Sequence, residues 1–107
     1  MNFTSSILKG RYIKKIIAEY YQVDINSTSR ERRFVYARWM GMLMCRLTTN
    51  LSYPQIAGLF NMRDHTTVIY GIKKVTEKMG DSLVVRRDYK ILLDYFRPKL
   101  GNVDISI

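Results

Sequence analysis

The sequence has few of the residues on which several classes of protein depend. Cys45 is the only cysteine, so no disulfide can form within the chain, as is typical of a reducing compartment. His65 is the only histidine, and the adjacent Asp64 would point about 100° away from it on a helix. These two side chains therefore do not make a catalytic pair, and we expect no enzymatic activity, no metal site and no cofactor. No apolar run approaches the ~20 residues of a membrane span, so we also expect no signal peptide and no membrane contact.

Acidic residues are also scarce. The 107 residues include 18 Lys and Arg but only nine Asp and Glu, which gives a formal net charge of +9. In so short a chain this imbalance favours a polyanionic partner, although a basic protein without an acidic partner is an alternative. Hydrophobic residues make up 47% of the chain, which is enough for one core. We expect a single domain over 1–107, with its core at about 10–97 and a tail at 98–107.

Apolar residues recur at helical spacing along most of the chain. A first helix ending near Tyr21 is predicted by the stripe of Ile13, Ile16, Ile17 and Tyr20. A linker over 22–29 leads to a long helix from about Arg30 to Leu47, whose apolar stripe is Phe34, Ala37, Gly41, Met44 and Leu47.

The last helix is expected from about Leu83 to Phe96, with Pro98 ending it and Gly80 just beyond the end of the preceding helix. The tail at 98–107 is compatible with a short strand, a partner-binding segment or disorder, and these alternatives stay open. The predicted fold class is all-α, a compact bundle of about five helices.

The segment from Thr48 to Val75 organises the rest of the chain. Ser52 and Pro54 predict the start of a short helix, since serine can cap free backbone N–H groups and proline lacks an N–H. Asp64 caps a second helix only a few residues later, with an apolar stripe of Val68, Ile72, Val75 and Met79. Two helices joined by so short a turn indicate a helix-turn-helix, in which the second is the recognition helix.

The start of this recognition helix carries the candidate base-reading residues. In the major groove, Asp64 can accept a hydrogen bond from cytosine, while His65 and Thr66 can contact thymine methyl groups. Thr67 is placed for a phosphate oxygen and Pro54 for the groove wall. Further along the helix, contacts with backbone phosphates are expected from Lys73 and Lys74.

The long helix also carries an unusual cluster of charge, Arg30-Glu31-Arg32-Arg33. A helix N-terminus disfavours cations, so the cluster points to an external anion such as phosphate, or else to a solvent-facing cluster. A basic edge of the helix is predicted because Arg32, Trp39 and Arg46 recur every seven residues, with Arg38 adjacent. We interpret Trp39 itself as a core residue or one covered by a neighbour.

The run RDHTTV at 63–68, preceded by TTNLSYPQI at 48–56 and by Phe60, resembles the C-terminal DNA-binding domain of the bacterial replication initiator DnaA. The resemblance covers about residues 10–80 and includes Lys74-Val75. It implies a monomer that binds double-stranded DNA at A·T-rich DnaA boxes, with Arg30 in the minor groove and with Arg38 and Arg46 on phosphates. The expected base contacts are then Arg30, Pro54, Asp64, His65 and Thr66. The expected phosphate contacts are Arg32, Arg38, Arg46, Arg63, Thr67, Lys73 and Lys74.

The chain departs from the family pattern at several positions. Asn61-Met62 replaces a glycine-containing turn, which asparagine can maintain because it tolerates the left-handed conformation. Trp39 stands where a polar residue is usual, and Tyr70 and Gly71 also differ from common choices. We expect these changes to alter the fine sequence preference more than the docking in the groove.

No phosphate-binding loop of the form G-x-x-x-x-G-K-[ST] occurs in the sequence. We therefore expect a stand-alone DNA binder of the cytoplasm and nucleoid, which regulates replication initiation or transcription without ATPase activity, in a host, a phage or a mobile element. One alternative is a protein-interaction module that binds a replication or regulatory protein. Another is a C-terminal fragment of a larger initiator. Steep salt dependence would distinguish DNA binding from an apolar protein interface.

Overall fold

The computed structural model describes residues 5–27 and 29–100. Within these ranges the chain forms helices and no strand: α1 (Ser6–Tyr21), α2 (Arg32–Thr48), α3 (Tyr53–Leu59), α4 (His65–Asp81) and α5 (Leu83–Leu100). The predicted all-α class, with about five helices and a helix-turn-helix, is confirmed. The alternatives for the end of the tail concern residues 101–107, which lie outside the described ranges. No helix in the described part of the chain is long and apolar enough to cross a membrane.

Helix α2 lies at the centre and packs against each of the other four helices. The single apolar stripe predicted for it is incomplete, because Met40, Met42, Leu43 and Cys45 are buried as well. Neighbouring helices cover α2 on several sides, and its unbranched methionines can fill the irregular spaces between them. The single cysteine, Cys45, is a free thiol buried in this helix, and burial raises the pKa of that thiol.

The starts of α3 and α4 follow the predicted capping chemistry. The Ser52 hydroxyl accepts a hydrogen bond from the Gln55 backbone N–H at 3.2 Å, and the Gln55 side-chain oxygen accepts one from the Ser52 N–H at 2.9 Å. This reciprocal pair is a capping box. At the start of α4, Asp64 Oδ1 accepts from the Thr66 N–H at 3.0 Å. Both helices of the helix-turn-helix therefore begin where their sequence dictates.

Two predicted helix ends are wrong. Helix α4 continues through Gly80 to Asp81, and Ser82 marks the boundary, since its hydroxyl accepts from the Val85 N–H at the start of α5. Helix α5 runs beyond Phe96 to Leu100 and contains Pro98. Leu100 is only 3% exposed, so the burial of its side chain stabilises a final turn in which proline cannot donate a hydrogen bond.

A buried carboxylate joins α5 to the rest of the molecule. Asp88 is 3% exposed and accepts hydrogen bonds from the hydroxyls of Tyr20, Tyr21 and Tyr36, at 2.9, 3.1 and 3.0 Å. The first two tyrosines belong to α1 and the third to α2, so one carboxylate links three helices. Hydrogen bonds to a charged acceptor are stronger than neutral ones, which offsets the cost of burying the charge.

Candidate nucleic-acid interface

The turn of the helix-turn-helix contains Asn61 and Met62, which replace the family's glycine-containing turn. Asn61 adopts the left-handed conformation, with φ at 59°. The next residue, Met62, donates its N–H to the Ala57 carbonyl at 2.8 Å, which closes the end of α3. The expectation that asparagine can maintain this turn is confirmed. The turn brings α4 against both α3 and α2.

The predicted base-reading residues lie together at the N-terminus of α4. His65 and Thr66 are exposed, and so is Asp64, whose Oδ1 is engaged with the Thr66 N–H and lies 3.5 Å from His65 Nδ1. The hydrogen bond from the Thr66 N–H lowers the pKa of the Asp64 carboxyl. Asp64 therefore caps the helix with one carboxylate oxygen. This role is additional to the base contact predicted for Asp64 from the sequence.

The outer face of α4 carries further polar side chains. Arg63, Thr67 and Lys73 are exposed, whereas the stripe of Val68, Ile72 and Val75 is buried, as predicted. Lys74 is half-buried, and its ammonium lies 5.4 Å from the centre of the Tyr70 ring and 3.9 Å from a Glu77 carboxylate oxygen. Lys74 thus lies toward the side of the helix rather than at the centre of its exposed face.

A second group forms where α2 ends and α3 begins. The Arg46 guanidinium lies over the Tyr53 ring, 4.7 Å from its centre, and the next residue, Pro54, is exposed. Cation–π contact holds the guanidinium beside the start of α3 without neutralising its charge. Two residues predicted to meet DNA, Arg46 and Pro54, are therefore neighbours on one part of the surface.

Arg38 is placed differently from its prediction. It is only 7% exposed, and its two terminal nitrogens donate to the carbonyls of Ser27 and Ser29 at 2.8 and 2.7 Å. This geometry directs the guanidinium into the protein, against the connection between α1 and α2. It argues against the phosphate contact predicted from the sequence. Arg38 instead holds the backbone of the segment that leads to Arg30.

The half-buried Trp39 lines two clefts. The smaller, of about 380 Å³, has Arg30 and Thr67 among its lining residues. The larger, of about 600 Å³, we term the Trp39 cleft, and its polar and aromatic lining includes Arg30, Arg32, Trp39, Tyr70, Lys74 and Lys78. The structure therefore gathers four predicted contact residues, Arg30, Arg32, Thr67 and Lys74, around one tryptophan.

The contacts of Trp39 were not predicted from the sequence. Its ring packs edge-to-face on Tyr70, with centres 6.1 Å apart, and a Cβ added to Gly71 would lie 2.4 Å from Trp39 Cδ1. The interpretation of Trp39 as covered by a neighbour is confirmed. The sequence contained a signal of this contact, because three of the departures from the family pattern, at Trp39, Tyr70 and Gly71, are the residues that meet here. A large residue on α2 is accommodated by the smallest residue on α4.

Residues 11–75 match the family profile described as the bacterial DnaA protein helix-turn-helix. The chain belongs to this DnaA family. It is 41% identical over 73 residues to the chromosomal replication initiator protein DnaA of Magnetococcus marinus, covering 65% of this chain and 16% of that protein. It is 36% identical over 88 residues to DnaA of Chromobacterium violaceum, covering 79% of this chain and 19% of the relative. The chain thus matches less than a fifth of the length of either DnaA protein.

Solved structures show the same relationship. A crystal structure of a DNA replication initiation factor superimposes with a TM-score of 0.78 and 31% identity, over 89% of this chain and 30% of that one. A replication initiator DnaA bound to AMPPCP and single-stranded DNA gives a TM-score of 0.68 and 33% identity, over 85% of this chain and 30% of the other. The DnaA resemblance seen in the RDHTTV segment therefore extends to the arrangement of the helices.

Proposed function

We propose that this DnaA-family chain binds double-stranded DNA in a sequence-specific manner, at sites similar to DnaA boxes. Helix α4 enters the major groove, where His65 and Thr66 contact base edges and Asp64 combines capping with acceptance from a cytosine amine. The observation that carries the proposal is the exposed polar N-terminus of α4, the second helix of the helix-turn-helix. The buried apolar stripe of α4 packs this helix against the core. Binding would regulate replication initiation or transcription.

Charge supports the same assignment. With a net charge of +9, the chain attracts a polyanion, and exposed Arg63 and Lys73 flank the base-reading residues on α4. Arg30 is exposed at the rim of the cleft that Thr67 also lines, so it can enter the minor groove beside the backbone that Thr67 contacts. Arg46, held beside exposed Pro54, supplies a further phosphate contact. Arg38 has no direct contact in this proposal.

Fluorescence anisotropy tests the proposal, using a labelled duplex with one DnaA box, a scrambled duplex and a salt titration. His65→Ala and Thr66→Ala should each weaken binding to the box by about 1–3 kcal/mol and reduce the preference over the scrambled duplex. Arg46→Ala should weaken binding to both duplexes alike and lower the salt slope by about one. Equal losses on both duplexes for all three variants would contradict the assigned roles.

A protein partner is the second candidate function, favoured by one observation. Leu83, Val84 and Ile91 on α5 are 77%, 55% and 46% exposed, which is unusual for large apolar side chains. Binding through this surface would persist at high salt, whereas DNA binding through several phosphates weakens steeply. The salt titration therefore separates the two functions.

A further inference from the structure

The Trp39 cleft combines two chemistries that rarely share a concave surface. It lies between α2, α4 and the start of α5, and at about 600 Å³ it is within the range of small-ligand sites, ~300–1,000 Å³. Among the described residues that line it, none is Asp or Glu and four are cations: Arg30, Arg32, Lys74 and Lys78. Two acids contact lining residues without lining the cleft themselves. Asp88 is buried and accepts a hydrogen bond from Tyr36 at 3.0 Å, and Glu77 lies 3.9 Å from Lys74. The site therefore favours an anion.

Aromatic rings distinguish this cleft from an ordinary basic surface. Tyr70 is 54% exposed although it is a large aromatic residue, and it is held edge-to-face against Trp39. Trp39 in turn is fixed against the backbone of α4 at Gly71. Rings held in place in this way lose little conformational entropy when a flat apolar surface packs on them.

A nucleotide is an anion with flat aromatic faces, and it is the anion of this kind that a DNA-binding family meets. In a duplex the faces of the bases are covered by their stacked neighbours, so a duplex could offer this cleft only phosphates and sugars. In a single strand the base faces are available, and aromatic side chains next to cations are the usual means of binding them. Of duplex and single-stranded DNA, only the single strand can therefore use both the cations and the aromatic rings of the cleft.

We propose that the Trp39 cleft binds an unpaired nucleotide of single-stranded DNA. Its base packs against Tyr70 and Trp39, and its flanking phosphates contact Arg32, Lys74 and Lys78. The site goes beyond the duplex contacts of His65 and Thr66, which lie at the N-terminus of α4, whereas Lys74 and Lys78 lie in its second half. Arg30 borders the cleft and also serves the proposed minor-groove contact, so it is left unchanged in the test.

The chain supplies its own reporter, because Trp39 is the only tryptophan. A short oligothymidylate should quench Trp39 fluorescence in a saturable manner that weakens with salt. Tyr70→Ala should weaken this binding about tenfold or more, since that is the effect of losing one base–aromatic stack. Tyr70→Phe keeps the ring and should bind as the unsubstituted protein does.

Anisotropy with a blunt duplex carrying a DnaA box separates this proposal from the proposed function. Tyr70→Ala should leave duplex affinity unchanged, while His65→Ala should weaken the duplex and leave oligothymidylate quenching unchanged. The proposal is overturned if oligothymidylate causes no quenching, or if Tyr70→Ala binds it as well as Tyr70→Phe. It is also overturned if Tyr70→Ala weakens binding of the blunt duplex as much as that of oligothymidylate, which would place the duplex backbone in the cleft. Loss of duplex binding alone would contradict only the proposed function.

Discussion

Gly71 shows how a single absent side chain fixes the position of the recognition helix. An added Cβ would lie 2.4, 3.0 and 3.2 Å from three atoms of the Trp39 indole, so the ring would have to move. We predict that Gly71→Ala lowers the free energy of unfolding by about 1–3 kcal/mol, as overpacking usually does. Urea unfolding followed by circular dichroism measures the change.

Gly80 provides the matched control in the same helix. Apart from the adjacent residues and the backbone of its own helix, no atom of the described residues lies within 4 Å of the position that its Cβ would occupy. Since alanine is favoured over glycine in a helix by about 1 kcal/mol, Gly80→Ala should stabilise the protein by up to that amount. If Gly71→Ala and Gly80→Ala both stabilise the protein, the Trp39 ring can move away from Gly71 without an energetic cost. The close packing of Trp39 on Gly71 would then not fix the position of α4.

The residues that sequence reasoning placed correctly are those whose role is local. Ser52 and Asp64 cap helices through backbone groups two or three positions away, so neighbouring letters are sufficient to predict them. The burial of Arg38 was not predicted, because its partners, the carbonyls of Ser27 and Ser29, belong to a connection whose path depends on tertiary packing. An arginine on a basic edge and an arginine that holds a loop look alike in a sequence.

At the scale of elements, Arg38 couples α2 to the segment that precedes it. Its two donated hydrogen bonds, at 2.8 and 2.7 Å, hold carbonyls on either side of residue 28 and just before Arg30. Lysine keeps the charge but cannot donate from two fixed nitrogens at once. We predict that Arg38→Lys lowers the free energy of unfolding by about 1–2 kcal/mol and speeds cleavage by trypsin after Arg30.

Arg97→Lys is a suitable control, because Arg97 is exposed on α5. Limited proteolysis with mass spectrometry would locate the cut sites in both variants. If Arg38→Lys is cut after Arg30 no faster than Arg97→Lys, the two hydrogen bonds do not restrain the segment.

Helix boundaries were predictable only where a cap decided them. Gly80 and Pro98 are residues that often end helices, yet both lie inside helices here. In α5 the buried Leu100 extends the last turn past the proline, and in α4 Ser82 provides a start for α5 that places the boundary two residues after the glycine. The burial of Leu100 and the Ser82 cap outweighed the tendency of proline and glycine to end helices. Neither effect can be recognised from Gly80 or Pro98 alone.

At the scale of the whole molecule, the Asp88 cluster joins elements that are far apart in sequence. Tyr20, Tyr21, Tyr36 and Asp88 show no shared motif, so their association became evident only from the fold. Burial raises the pKa of Tyr20, Tyr21 and Tyr36, and the pKa of Tyr36 reaches about 12. The proximity of the Asp88 carboxylate raises all three further, because tyrosinate would repel it.

These pKa shifts predict that alkaline pH destabilises the protein. Unfolded tyrosines lose their protons near pH ~10, whereas the native cluster retains them, so the native state binds more protons above that pH. The stabilisation is complete below about pH 10 and is lost as pH rises through the native pKa values. The limiting slope is about 1.4 kcal/mol per pH unit for each tyrosine. Urea midpoints measured from about pH 8 to about pH 11 would report this decline.

The double variant Tyr21→Phe/Tyr36→Phe tests whether the Asp88 cluster causes this loss of stability at alkaline pH. It removes two of the three tyrosine hydroxyls that donate to Asp88, so it should be less stable than the unsubstituted protein near neutral pH. Its stability should then fall less steeply above about pH 10, because two protons that the native state retained are no longer present. Equal slopes in the two proteins would show that other groups cause the alkaline loss and that the tyrosines near Asp88 ionise as freely as those of the unfolded chain.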